Sequence, residues 1–222
     1  MINMISILNL KRILKNFQFN YRYLNLNLVG DYIDFYKYFA TIKQDCALAN
    51  ELWCLQLIFF IQRKYVEAFF KLKLEKFYSA WCTFARVENA YFRLVKHYDR
   101  KLDEYKINSI YEYTRKFQKI FPYNCFSSME YNVHKFKCNI CGMESESYKF
   151  NCNHKIGEVY CGKQCVPIYL DLEALGVALV ENPLDKCTVM DLDYYDDKYG
   201  NIKLLISNLS SPFQSWDIEI ND

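Results

Sequence analysis

Between Asp31 and Phe121 the chain contains neither glycine nor proline. Their absence removes the usual punctuation of turns, so the stretch is expected to fold into long helices. Apolar residues recur at helical spacing. Leu48, Leu52, Leu55, Phe59, Val66 and Phe69 share one stripe, and Phe77, Trp81, Phe84, Val87, Tyr91, Leu94 and Tyr98 follow one another by 3 or 4 residues. Stripes of this width give each helix a broad apolar face. They predict helices near residues 31–46, 48–73, 76–98 and 108–120, packed as an antiparallel bundle, with Asp99–Asp103 as the most polar connector. The aromatic residues fall where burial requires them, which marks them as core rather than as a base-stacking surface. Arg63, Lys64, Glu67, Arg86 and Glu88 are expected to form surface ion pairs of little weight.

The flanks differ. Residues 1–30 carry no acid, and Lys11, Arg12, Lys15 and Arg22 alternate with apolar side chains. An amphipathic helix over Ile5–Phe17 is expected there. It would serve as an edge helix of the domain, in preference to a membrane-surface anchor or presequence. Leu24, Leu26 and Leu28 alternate with asparagine, the pattern of a short strand closed by Gly30. Pro122 ends the helical part, because proline disfavours helix in the residue before it.

Beyond Pro122, Gly142, Gly157, Gly162 and Gly176 crowd together out of only 6 glycines in the chain. That composition suits tight turns and short strands. Pro167 predicts a helix from Val166 to Leu175, capped by Gly176. Two strands, Val177–Val180 and Cys187–Leu192, would then be joined through Asn182-Pro183. A turn at Asp196-Asp197, a helix over Tyr199–Leu209 and an irregular tail complete the chain. The expected fold class is α+β, mainly α. A basic N-terminal segment (1–30) and a helical bundle (31–121) lead into a small treble-clef-like or zinc-ribbon-like α+β lobe with an acidic C-terminal part (122–222).

The lobe holds the one stretch committed to a definite chemistry. Two cysteines separated by two residues let one tight turn present both sulfurs to the same ion, and Cys138-Asn139-Ile140-Cys141-Gly142 has that form. Cys152 and His154 stand two apart, so in an extended segment both face the same way. Together Cys138, Cys141, Cys152 and His154 make a tetrahedral donor set for one structural zinc ion. Cys165 is the first reserve, able to replace Cys152 if it opens the following helix. Cys161 reads as a loop thiol. Cys54 and Cys82 sit in helical segments, where a free thiol behaves as a small buried hydrophobe. This usage, with no secretory signal, implies a cytoplasmic protein. The longest apolar run, Leu52–Ile61, falls short of the roughly 20 residues that a membrane span needs.

The net charge of +2 hides a division: residues 1–121 carry 20 Lys+Arg against 11 Asp+Glu, and residues 122–222 carry 8 against 15. The positive charges are dispersed rather than clustered, so a nucleic-acid partner is only weakly supported. Metalloprotease H-E-x-x-H, deaminase, Walker and nucleophile-elbow patterns are all absent. Glu158 is the obvious acid–base candidate beside the site.

Several segments also resemble an uncharacterised family of bacterial proteins over about residues 50–216. They are AFF…FYSAWC…FARVE, FPYNCF, CNICG, C-x-H-x-x-G-E-x-Y-x-G-x-x-C and SPFQSW. The family's C-x-x-C-G knuckle and its G-H-x-x-G-E-x-Y-x-G-x-x-C segment map to Cys138, Cys141, His154, Gly157, Glu158, Tyr160, Gly162 and Cys165. Asn153 and Cys161 depart from that pattern. The resemblance implies architecture and metal, with no substrate. The expected function is a non-enzymatic, zinc-stabilised interaction module for a protein or nucleic-acid partner. The alternative is a metal- or thiol-dependent enzyme using Glu158 with Cys161 or Cys165.

Overall fold

Asp45 caps the longest helix of the molecule by accepting a hydrogen bond from the Leu48 N–H at 3.1 Å, and around this helix the others assemble. The computed structural model describes residues 5–98, 102–146, 149–183, 185–190 and 198–214. Seven helices are defined among them: α1 (Ile7–Lys15), α2 (Phe17–Asn20), α3 (Leu26–Ile42), α4 (Cys46–Lys73), α5 (Phe77–Val95), α6 (Ile107–Ile120) and α7 (Gly200–Asn208). Helix α4 buries Leu52, Leu55, Ile58, Ile61, Tyr65, Ala68 and Leu72 almost completely. These positions go round most of its circumference, the mark of a central helix. Short connections make α3, α4 and α5 antiparallel neighbours.

The mainly helical first part therefore forms as expected, but its boundaries shift. The chain turns without glycine: Gln44, Glu75 and Lys106 adopt left-handed φ values of 57°, 55° and 58° at helix ends. The strand expected at Leu24–Leu28 is replaced by the first turn of α3. Asn25 caps that helix by accepting from the Leu28 N–H at 3.2 Å, and Val29 and Ile33 enter the core. Packing against α4 overrides the local alternation. Gly30 does not close a strand; it lies inside α3, where an added Cβ would meet the Phe59 ring at 3.3 Å. Helix α1 is an edge helix, with Leu10 and Leu14 buried and Lys11 bonded to Glu51 at 2.6 Å. No helix among the described residues is long and apolar enough to cross a membrane.

Trp81 marks the exit from the helical part. Its ring lies 5.3 Å from Phe121, 5.1 Å from Tyr123 and 6.0 Å from Phe126. From there runs a long antiparallel ribbon of β1 (Phe126–Cys138) and β5 (Pro167–Val180), paired from Phe126–Val180 to Cys138–Pro167. The short strand β2 (Glu144–Ser145) adds to the other edge of β1, while β3 (Val159–Tyr160) and β4 (Lys163–Gln164) form a separate hairpin.

The helix expected over Val166–Leu175 is thus a strand. Ile168, Tyr169, Leu170 and Leu172 favour the pleated backbone, and Pro167 is tolerated as the first residue of a strand. Gly176 caps no helix and lies within β5 beside one of three irregularities in the register. Val177–Val180 continues the same strand. Of the strand expected at Cys187–Leu192, a single bridge from Val189 to Phe126 forms; residues 191–192 and the turn at Asp196-Asp197 lie outside the described residues.

The chain then returns to the bundle. Ile202, Ile206 and Leu209 join the helical core, and the Tyr65 hydroxyl donates to the Pro212 carbonyl at 2.7 Å. Glu88 is not a surface residue. Its side chain is 4% exposed and meets Lys186 at 2.5 Å and Arg115 at 3.5 Å, with a hydrogen bond from Gln118 at 3.3 Å. Breaking a charged hydrogen bond at such a position costs about 1.5–3 kcal/mol. Glu88→Ala should lower the stability measured by urea unfolding by that amount, with little change in the slope against denaturant.

Candidate metal centre

The end of β1 delivers Cys138 into a tight turn. The Gly142 N–H donates to the Cys138 carbonyl at 2.8 Å, and Gly142 takes a φ of +76°, which suits a residue without a Cβ. The turn aims the Ile140 N–H at the Cys138 sulfur, 3.4 Å away. Burial pushes the Cys138 thiol up, but the backbone N–H groups of Cys141 and Ile140 outweigh it and hold the group at about 7. A sulfur that receives two amide hydrogen bonds is already prepared to be a thiolate.

Cys152 and His154 approach from the following loop. The candidate donor atoms of Cys138, Cys141, Cys152 and His154 all lie within 4.8 Å of one another, so a small contraction would bring all four to one ion. His154 Nδ1 is buried without a hydrogen-bond partner. Such an atom is costly unless something fills its lone pair or takes its proton, and a metal ion does the former. The His154 ring stands edge-on to Tyr160, with centroids 4.6 Å apart, which fixes its orientation. The four residues expected to act together are brought together, and they form a group able to hold a metal ion.

Cys165, the reserve, is buried beside them with its sulfur 3.9 Å from that of Cys138. Burial, then the Cys138 sulfur, pushes its thiol up to about 11. It follows β4 rather than opening a helix, so the helix start that would complete a treble clef is absent. The end of a strand, a tight turn and a loop carry the four residues.

Cys161 is not a free loop thiol. It is disulfide-bonded to Cys46, 115 residues away at the start of α4. The expectation of a loop thiol at Cys161 fails because folding brings the β3–β4 turn against α4. Other contacts reinforce the junction. Asn50 accepts from the Gly162 N–H at 2.7 Å, Arg93 donates to Gln164 at 2.8 Å, and His97 Nε2 lies 3.0 Å from the Gly157 carbonyl. Asn139, inside the knuckle, donates to the Gln164 carbonyl at 2.8 Å and accepts from the Val166 N–H at 2.9 Å. It ties the two donor loops together.

Sequence reasoning missed Cys46, Asn50, Arg93, His97 and Asn139. Only Asn139 carried a local signal, its place within the C-x-x-C turn. Glu158 is exposed and borders a cavity of about 390 Å³ whose lining includes Asn50, Glu51, Trp53 and His97 but none of the four donor residues. The acid–base candidate and the metal group therefore do not share a pocket. No family model matches the chain, and neither a curated protein nor a solved structure matches it.

Gly162 sets how closely the hairpin approaches the bundle. Its φ is +79°, and an added Cβ would sit 3.1 Å from the Ala49 carbonyl oxygen and 3.3 Å from the Ala49 Cβ. Gly162→Ala should cost about 1–3 kcal/mol and speed hydrogen exchange in residues 157–165 more than in α5.

Proposed function

We propose that the chain is a zinc-stabilised interaction module, in which the ion organises the lobe and performs no chemistry. The observation that carries this reading is the convergence of three cysteines and a histidine with an unpartnered buried nitrogen. Three thiolates and one imidazole suit zinc, and four protein donors leave no open position for a reacting water. A fourth thiol, that of Cys165, beside them closes the site further.

The lobe needs such an ion. Among the described residues between Phe136 and Cys165, the buried ones are Phe136, Cys138, Ser145, Gly162 and Cys165. That is too little apolar burial to order the intervening loops, and a bound ion joins segments that lack a core of their own. The enzymatic alternative loses support in two places. Cys161 is bonded to Cys46, and Glu158 faces a cavity that no donor residue lines. The surface the lobe supports is directed at a protein partner, and the dispersed basic residues of the helical part are solvated faces. The resemblance to a bacterial family adds no reaction to this assignment. A cytoplasmic location stays part of the proposal, with the Cys46–Cys161 bond formed or broken by the thiol poise around it.

Two measurements test the reading. Protein purified without added metal should hold one zinc per chain. Cys138→Ser, Cys141→Ser, Cys152→Ser and His154→Ala should each lose it, whereas Cys165→Ser should retain it; loss in Cys165→Ser with retention in Cys152→Ser would exchange the two. Chelation should remove hydrogen-exchange protection from residues 136–165 and leave α4 and α5 protected. Unchanged protection throughout would refute a stabilising ion.

A further inference from the structure

The β1–β5 ribbon is two-sided, and its apolar side faces water. Cross-strand partners share a face, so the pairs Ser127–Leu179, Met129–Val177, Tyr131–Ala174, Val133–Leu172 and Phe136–Tyr169 fall on one side. Glu130, Asn132, Lys135, Asp171 and Glu173 fall on the other. Two contacts confirm the division. The rings of Tyr131 and Tyr169 are 6.3 Å apart on the apolar side, and His134 meets Glu173 at 3.1 Å on the polar side.

The apolar side is exposed: Met129 66%, Tyr131 44%, Tyr169 46%, Leu172 47%, Val177 69% and Leu179 61%. Leu170 and Leu175, skipped in the register beside it, add 44% and 56%. Most exposed apolar residues of a protein are scattered and need no explanation, but a contiguous patch of this kind marks an interaction surface. A two-stranded ribbon is also marginal in water until a second layer covers its apolar face.

We infer that this face is the contact through which two copies of the chain associate. Two observations and a packing rule select a second copy as the occupant. First, the area matches: at about 150–250 Å² for a large side chain, these exposures amount to roughly 800 Å², the share of one partner in a standard interface. Second, the pairs from Met129–Val177 to Phe136–Tyr169 place no charged side chain on that side. That fits the more apolar contact of homodimers rather than a partner recognised by charge. Third, sheet packing accommodates it: two identical ribbons packed face to face, about 10 Å apart and at about −30°, make a four-stranded two-layer unit. Each ribbon then gains the layer it lacks, and the acidic and basic residues of the opposite side remain in water.

The inference extends the module reading by naming its partner, and the two can fail separately because metal content and mass are read independently. The full-length, metal-loaded protein is examined by sedimentation equilibrium over a wide concentration range. A dimer is expected. Leu172→Glu combined with Val177→Glu should weaken it about 100-fold or more while metal content and far-ultraviolet circular dichroism stay as in the parent. Asn132→Glu, on the polar side, should leave the dimer intact. If the glutamate pair disturbs the circular dichroism, Val177→Thr with Leu179→Thr keeps strand propensity and should still weaken the dimer.

A wild type that is monomeric at every concentration overturns the proposal, as does a dimer indifferent to all ribbon substitutions. A dimer broken by Phe35→Glu on α3 but not by the ribbon pair also overturns it, by moving the contact to that helix. Flotation of a monomer with phosphatidylcholine vesicles would assign the face to a lipid surface instead. A protein that purifies as a dimer without zinc would refute the module reading and leave the dimer standing.

Discussion

Burial of α4 on nearly all sides is the constraint on which the rest of the molecule depends. Its Leu52, Leu55, Ile58 and Tyr65 are fully enclosed, and that requires α1 and α3 before it and α5, α6 and α7 after it. Each neighbour then needs only one apolar stripe. Chain order follows from this: the C-terminal segment must come back across the bundle, and the Tyr65–Pro212 hydrogen bond and the Glu88–Lys186 ion pair hold it there. Glu88 is enclosed because its partners reach it from α6 and from the returning segment. A buried carboxylate of this kind costs stability unless it is fully paired.

The second half of the chain has no comparable core. Its fastenings differ in chemistry and stand at separate points: the aromatic group around Trp81 at the base of the ribbon, the four Cys and His residues able to hold a metal ion at its far end, and the disulfide with Asn50 and Gly162 at the junction with α4. This explains why the lobe is rich in glycine and thiols while the bundle uses neither for its turns. The ribbon between these anchors is held at both ends and free along its length, which leaves one apolar side in water.

The metal group and the disulfide meet in the same short hairpin. Tyr160 orients His154 from one side of Cys161, and Gly162 closes against Ala49 on the other. The hairpin therefore touches both the donor loop and the start of α4. The cavity at this junction, bordered by Glu158, is a consequence of the imperfect fit between a hairpin and a helix surface.

The sequence by itself determined whatever depends on local spacing. The helical first part was legible because its stripes recur at 3 or 4 residues without interruption by glycine or proline. The grouping of Cys138, Cys141, Cys152 and His154 was legible because a C-x-x-C-G turn and a C-x-H pair each place two side chains together regardless of the surrounding fold. What failed were segments whose local pattern is ambiguous. Leu24–Leu28 alternates like a strand but becomes helical because Asn25 caps it and α4 receives it. Pro167–Leu175 suits a helix start or a strand equally well, and the presence of β1 alongside decides for the strand. Cys46 and Cys161 lie 115 residues apart, and no local signal relates them. Their bond, the burial of Glu88 and the exposure of the ribbon depend on which surfaces meet after folding, and pairing over such distances is set by tertiary packing alone.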